Sequence, residues 1–171
     1  ECEEFLKRGK EFRSDLSRLK VVIDCSNGTV GIYLRDALEG TGGRFSFLFE
    51  EPDGTFPNHP PNPLVEENLA ALKTRVLAEK ADLGVCFDGD ADRVMFVDER
   101  GRFVSPDLVI GLIGTWYFGL HPDRGEGASR AVTYDVRSSR GVVEFLRGLG
   151  AEPLMCRVGH SHAKKLLRET K

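Results

Sequence analysis

Hydrophobic residues recur along the chain at two spacings, one typical of β-strands and one typical of α-helices. Segments with the two spacings alternate. Four short apolar runs are continuous or alternate with a period of two, as β-strands do; these runs are 19–24, 44–49, 83–87 and 94–98. Residues 31–38 and 64–80 predict helices between the strands, the second of them with apolar side chains at helical spacing. The alternation predicts an α/β fold: a three-layer α/β/α domain whose mixed sheet is mostly parallel and ends in a hairpin.

The same patterning divides the chain into three predicted segments. Residues 1–18 are strongly charged, with apolar residues at roughly helical spacing, which predicts a helix or linker. Residues 19–121 complete the α/β/α domain with a last helix capped by Ser105. Residues 122–171 open a second, similar domain that has too few elements to bury both faces of a sheet. We therefore expect the remaining domains of a longer parent chain, and a segment upstream of Glu1, which is not a start residue.

Composition and charge make several classes of partner and of cysteine chemistry unexpected. The chain has 171 residues, 40% of them hydrophobic, and a formal net charge of -3 with both signs interspersed. Without a basic field, neither nucleic acid nor an anionic membrane is an expected partner, and no apolar run is long enough to span a membrane. The four cysteines are scattered and form no CxxC pair. This pattern favours reduced thiols in a cytoplasmic protein over disulfides or zinc ligands.

The most informative stretch is an acidic turn between the two predicted strands of residues 81–98. Asp88, Asp90 and Asp92 alternate along this turn, and Arg93 follows them. Three carboxylates so close together repel one another unless a cation binds them or water screens them. A hard divalent ion with oxygen ligands fits such a cluster. The planar guanidinium of Arg93, beside that ion, suits a pair of phosphate oxygens.

The acidic turn has two other interpretations, a solvated turn and a calcium loop. Asp and Gly are common turn residues, so a lone Asp-Gly-Asp sequence is often only a solvated turn. A calcium loop is the second interpretation, because Glu99 falls at position 12 when Asp88 is position 1. That loop requires Gly at position 6, where this chain has Arg93, and helices rather than strands on either side. The calcium interpretation is therefore disfavoured.

Three segments resemble the alpha-D-phosphohexomutases, the family that contains phosphomannomutase and phosphoglucomutase. The first is FDGDADR with ADLG before it, which is similar to the metal-binding loop of that family. The others are DGTFPNHPPNP at 53–63, with ENL shortly after it, and RVGHSHAKKLLRET at 157–170. The resemblance covers about residues 20–171. It implies the second domain and the opening of the third domain of an enzyme with four domains.

The resemblance also implies roles for seven residues. Three aspartates would hold Mg²⁺, and the arginine after them would be the catalytic residue at the reacting phosphate: Asp88, Asp90, Asp92 and Arg93. Three cations that follow the predicted strands of the second domain would bind hexose phosphates: Arg137, Arg157 and His160. Close relatives have lysine in the place of Arg137. His59, in the proline-rich loop, is left outside the site as a packing or hydrogen-bonding residue.

The activity that the resemblance implies is the transfer of a phosphoryl group between an enzyme serine and the O1 or O6 of a hexose. A bisphosphorylated sugar is the intermediate, so glucose or mannose 1,6-bisphosphate would activate the full-length enzyme. No Ser-His-Asn-Pro motif occurs in the sequence, and we expect this chain alone to be inactive. Two alternatives stay open: a phosphoglucosamine mutase of the same superfamily, and a module that binds metal and phosphosugar without catalysis.

Overall fold

A computed structural model describes residues 15–120 and 130–170. The chain divides into two compact units, Glu1–Val104 and Ser105–Lys171. The domain boundary predicted from the sequence lies after residue 121, whereas this division assigns the helix Pro106–Leu120 to the second unit. Within that unit the helix packs closely on its neighbour, since a Cβ at Gly114 would lie 2.5 Å from Leu146 Cδ2. The helix predicted within residues 1–18 lies largely outside the described residues.

The first unit alternates strands and helices in the predicted order. Its strands are β1 Lys20–Asp24, β2 Arg44–Leu48, β3 Leu83–Phe87, β4 Val94–Asp98 and β5 Phe103–Val104. Its α-helices are α1 Leu34–Leu38 and α2 Ala70–Glu79. A 3-10 turn precedes each helix, at Thr29–Ile32 and at Glu66–Leu69.

The five strands form one mixed sheet in the order β2-β1-β3-β4-β5. β1 pairs in parallel with β2 and β3, and its last residue Asp24 lies beside Leu48 and Cys86. β4 pairs antiparallel with β3 and β5. The predicted sheet, parallel at its centre and closed by a hairpin, is confirmed.

Apolar side chains cover both faces of this sheet. One face packs against α2 through fully buried side chains: Val22, Leu69, Leu72, Val76, Cys86 and Val97. The other face packs against α1 and the preceding turn: Val21, Ile23 and Cys25, with Val30, Leu34 and Leu38. Helices on both faces of one sheet make three layers, so the predicted α/β/α architecture is confirmed.

In its described residues, 105–120 and 130–170, the second unit has three helices and a two-stranded parallel sheet. The elements are α3 Pro106–Leu120, β6 Ala131–Tyr134, α4 Arg140–Gly148, β7 Glu152–Met155 and α5 His160–Glu169. Val142, Val143 and Leu146 of α4 form its small core. Ser139 caps α4 by accepting a hydrogen bond from Val142 N at 3.3 Å. No helix among residues 15–120 and 130–170 is long and apolar enough to cross a membrane.

Candidate metal centre

The acidic turn connects β3 to β4 and brings three carboxylates together. Asp88 follows directly after β3 and is fully buried, whereas Asp90 and Asp92 are exposed. One oxygen from each carboxylate lies within 4.8 Å of the others. Alternate spacing along a tight turn places the three groups on one side, with the buried group innermost. Oxygen ligands in this arrangement fit Mg²⁺ or another hard divalent cation.

The backbone of the acidic turn is held by its own hydrogen bonds. Asp88 N donates to Arg93 O at 3.2 Å, and Ala91 N donates to Asp88 O at 3.2 Å. Ala91 has φ 61, in the left-handed region that glycine adopts more easily. The backbone between Asp90 and Asp92 therefore adopts a conformation that residues other than glycine rarely populate.

Arg93 compensates the charge of Asp88. Its backbone N donates to Asp88 Oδ1 at 3.1 Å, and its Nε donates to Asp88 Oδ2 at 2.6 Å. Burial opposes ionisation of Asp88, but the bonds from Arg93 outweigh it and hold the pKa of that carboxyl below its ordinary value. The Arg93 side chain remains 45% exposed. Donor groups of Arg93 that bond neither Asp88 nor Asn62 are therefore accessible to a ligand.

Asp92 shows how crowded the carboxylates are. Its hydrogen bond with Asp88, and then the charge of Asp90, raise the pKa of the Asp92 carboxyl. A raised pKa means that a proton relieves part of the repulsion between the three groups. A bound divalent cation would relieve the same repulsion with the carboxylates ionised.

The turn after β1 supports the acidic turn from one side. Ser26 Oγ donates to Phe87 O at 2.6 Å, and Thr29 N donates to Gly89 O at 3.0 Å. A Cβ at Gly28 would lie 2.7 Å from Gly89 O, so only glycine permits this approach. These contacts position the backbone of the acidic turn.

The proline-rich loop of residues 51–63 supports the acidic turn from another side. Asn62 Oδ1 accepts a hydrogen bond from Arg93 Nη1 at 3.3 Å. The ring of Phe56 and the side chain of Pro61 lie close to Gly89, where a Cβ would be 3.4 Å and 3.6 Å from them. His59, left outside the predicted site, bonds to the buried carboxylate of Asp24. Sequence reasoning missed these partners, because each is dozens of residues from the acidic turn.

The three predicted sugar-binding cations lie in the second unit. β6 and β7 run parallel, with Tyr134 beside Met155, so Arg137 and Arg157 follow neighbouring strand ends. Arg137 forms an ion pair with Asp135 at 2.7 Å and is otherwise well exposed. Arg157 is exposed, and the exposed His160 is the first residue of α5. Among the described residues, no hydrogen bond or ion pair joins these three cations to one another.

Comparisons with known proteins agree on one family. The family profile described as phosphoglucomutase/phosphomannomutase, alpha/beta/alpha domain II, matches residues 3–101. A phosphomannomutase/phosphoglucomutase of Pseudomonas aeruginosa is 38% identical over 164 residues, which are 94% of this chain and 34% of that protein. A phosphoglucomutase of Neisseria meningitidis is 34% identical over 152 residues, which are 89% of this chain and 32% of that protein.

A solved structure from Burkholderia thailandensis, described as a phosphoglucomutase/phosphomannomutase family protein, superposes with a TM-score of 0.87. It is 33% identical, and the match covers 98% of this chain and 35% of that one. The chain thus spans about a third of the length of the relatives it matches.

Proposed function

The chain belongs to the phosphoglucomutase/phosphomannomutase family, and we propose that it is the metal-binding part of an enzyme that interconverts hexose 1-phosphates and hexose 6-phosphates. The observation that carries this proposal is the convergence of Asp88, Asp90 and Asp92 within 4.8 Å, beside the half-exposed guanidinium of Arg93. A cluster of oxygen ligands next to a fixed arginine is suited to phosphoryl transfer, in which charge develops on the oxygens of the migrating phosphoryl group.

The aspartates and the arginine of the acidic turn would have different roles. Asp88, Asp90 and Asp92 would hold Mg²⁺, which supplies positive charge to the phosphate oxygens when it is bound. The Nε of Arg93 is held by Asp88 at 2.6 Å. The guanidinium plane is thereby fixed, while the N–H groups that bond neither Asp88 nor Asn62 can donate to a phosphate oxygen. Arg93 then contributes orientation as well as charge, and that orientation is in place before the substrate binds.

We assign the binding of the phosphorylated sugar in the second unit to Arg137, Arg157 and His160. Asp135 holds Arg137 through Nε at 3.0 Å and Nη2 at 2.7 Å, so its exposed end is oriented by its own turn. Arg157 and His160 follow β7, at the strand ends where open α/β sheets bind ligands. Cationic donors at these positions suit a hexose phosphate.

Three further points belong to the same proposal. Residues 19–121 would be the second domain of the parent enzyme and residues 122–171 the opening of the third, with other domains of a longer chain as partners. Glucose or mannose 1,6-bisphosphate would activate that enzyme, because the reaction passes through a bisphosphorylated sugar. Free thiols at Cys25, Cys86 and Cys156 support a reducing, cytoplasmic compartment.

A chimeric enzyme tests the proposal. This chain would replace the matching third of the Pseudomonas aeruginosa phosphomannomutase/phosphoglucomutase, and conversion of mannose 1-phosphate and glucose 1-phosphate would be measured. We expect turnover by the chimera and none by the chimera with Asp90→Ala. The chain alone is the second control, and we expect it to be inactive because the sequence contains no Ser-His-Asn-Pro motif. A folded chimera that binds Mn²⁺ but converts neither sugar would overturn the proposed function.

A further inference from the structure

A buried ion pair lies at the end of β1, outside the three carboxylates of the acidic turn. Asp24 is fully buried, and its Oδ1 accepts a hydrogen bond from Ser26 N at 2.8 Å. His59 Nε2 lies 3.1 Å from Asp24 Oδ2 and 3.2 Å from Asp24 Oδ1. The His59 side chain is only 10% exposed. A carboxylate removed so completely from water needs a partner of this kind.

The surroundings of His59 determine its protonation. Nδ1 lies 2.9 Å from Pro60 O, and Nε2 lies against the carboxylate of Asp24. Both neighbours are acceptors, so only an imidazolium, with a proton on each nitrogen, can donate to both. The bond to Asp24 raises the pKa of His59 against the opposing effect of burial. The Phe49 ring, edge-on at 5.4 Å between centroids, covers the imidazole.

This ion pair ties the proline-rich loop to β1. Next to it, Asn58 Nδ2 donates to Asn27 Oδ1 at 2.8 Å, so two consecutive loop residues bind the end of β1 and the turn after it. Only Pro60 and Pro61 separate His59 from Asn62, and proline rings restrict the backbone between them. Fixing the position of His59 therefore restricts the position of Asn62.

Asn62 is where the loop reaches the metal centre. Its Oδ1 accepts from Arg93 Nη1, and Asn68 Nδ2 holds its backbone carbonyl at 2.9 Å. Phe56 and Pro61, on either side of His59 in the loop, lie over Gly89 of the acidic turn. A shift of the loop would remove a bond to Arg93 and the cover over Gly89 at once.

We propose that His59, through its ion pair with Asp24, is a positioning residue for the metal centre, because it holds the proline-rich loop in place against Arg93 and Gly89. The inference rests on the proposed function for its metal site, and it adds a residue that touches neither the metal ligands nor Arg93 directly. In other proteins, substituting side chains that orient the residues coordinating a metal changes the metal affinity by about ten- to a hundredfold.

Binding of Mn²⁺ to this chain, measured by electron paramagnetic resonance, is the first test. His59→Phe keeps a ring but removes both donors, and we expect it to weaken Mn²⁺ binding by about tenfold. His59→Gln keeps one donor and should recover part of the affinity. Asp24→Asn should weaken binding as His59→Phe does, and the double variant should lose no more than either alone. His162→Gln, on the exposed face of α5, should bind as the parent chain does.

A variant that is less stable but keeps the contacts of His59 distinguishes an effect on the position of the loop from an effect on folding. Val76→Ala removes buried methyl groups under the sheet and should lower the thermal midpoint without changing Mn²⁺ affinity. All variants would be compared at a temperature where circular dichroism shows them folded. Equal Mn²⁺ affinity for folded His59→Phe and for the parent chain would overturn the inference.

A second readout needs no metal. Exchange of the Arg93 Nε–H with water, followed by NMR in buffer with chelator, reports how firmly the guanidinium is held. We expect faster exchange in His59→Phe and unchanged exchange in Val76→Ala and His162→Gln. If the parent chain binds no Mn²⁺, the proposed function loses its metal site, and this exchange rate alone decides the inference. Equal exchange in His59→Phe and the parent chain would then overturn it.

Discussion

Arg93 Nε lies 2.6 Å from Asp88 Oδ2, and the backbone N of Arg93 donates to the other oxygen of the same carboxylate. Asp88 is fully buried and Arg93 is half exposed. One residue therefore both compensates an internal charge and faces a potential ligand. This double role makes Arg93 the point at which stability and metal binding are expected to interact.

Arg93→Met should destabilise the chain, because it leaves the buried carboxylate of Asp88 without its cation. We expect a lower free energy of unfolding, with a smaller loss than for a fully buried pair, since water already screens the exposed guanidinium. Urea unfolding at pH 7 measures it. Saturating Mg²⁺ should recover part of the loss. Arg100→Met, on an exposed arginine after β4, is the matched control, and an equal effect of both substitutions would contradict the prediction.

Asp90→Asn should weaken divalent metal binding with little effect on folding. The amide keeps the shape of the side chain but removes one of three charges that would face the cation. We expect Mn²⁺ affinity to fall by about tenfold, which corresponds to about 1.4 kcal/mol. Calorimetric titration measures the change. Asp53→Asn in the neighbouring loop is the control, because the Asp53 carboxylate accepts hydrogen bonds from Thr55 and lies outside the acidic turn. Unchanged affinity in Asp90→Asn would contradict a contribution of the Asp90 charge to metal binding.

His59 should make the stability of the first unit depend on pH near neutrality. The bond to Asp24 raises its pKa in the folded chain above the ordinary value of about 6.5. A raised folded pKa means that the contribution to stability is complete below about pH 6.5 and is lost as the pH rises through the folded pKa. The difference in unfolding free energy between the parent chain and His59→Gln should therefore shrink from pH 6 to pH 9. A difference that grows over this range would contradict the assignment of an imidazolium.

Gly84 should tolerate no side chain, since α2 packs directly over it. A Cβ at this position would lie 2.8 Å from Val76 Cγ2 and 3.1 Å from Leu72 Cδ1. Gly84→Ala is expected to cost about 1–3 kcal/mol by overpacking, measured by urea unfolding. Adding Val76→Ala should make room, so that the double variant loses less than the sum of the two. Gly54→Ala is the control because nothing lies within 4 Å of its Cβ.

Much of the fold follows from patterns that are local in sequence. The period of two on either side of the acidic turn predicts the β3-β4 hairpin to within a residue, since a short turn leaves the two strands no other partner nearby. The helix predicted at 31–38 is instead a 3-10 turn and the short helix α1. At Gly31 the chain passes so close to Glu50 that a Cβ would lie 1.9 Å from its carbonyl oxygen. That close approach depends on tertiary packing, which periodicity does not report.

The candidate site also combines features that are local in sequence with features that depend on tertiary packing. Asp88, Asp90 and Asp92 lie within five residues, so their convergence could be predicted from spacing alone. The pair of Asp24 and His59 spans 35 residues and depends on how the proline-rich loop folds back over β1. The signals in the sequence are a strand that ends in Asp24 and, a full strand later, a histidine between Pro57 and Pro60. These signals are too common to distinguish a buried ion pair from a solvated loop.

Glu79 should make the stability of the first unit decrease at acidic pH. Ser46 Oγ donates to its carboxylate at 2.6 Å, and Arg75 and Lys20 add ionic contacts, so the pKa of Glu79 falls to about 2. A lowered folded pKa means that the stabilisation is present above the ordinary value of about 4.3 and is lost as the pH falls toward about 2. The parent chain should therefore exceed Glu79→Gln in thermal midpoint at pH 6, and the two midpoints should converge below pH 3. Glu67→Gln, on an exposed carboxylate before α2, should follow the parent chain throughout. A gap between parent and Glu79→Gln that is no narrower at pH 2 than at pH 6 would mean that the shape of this side chain, and not its charge, stabilises the contact between α2 and β2.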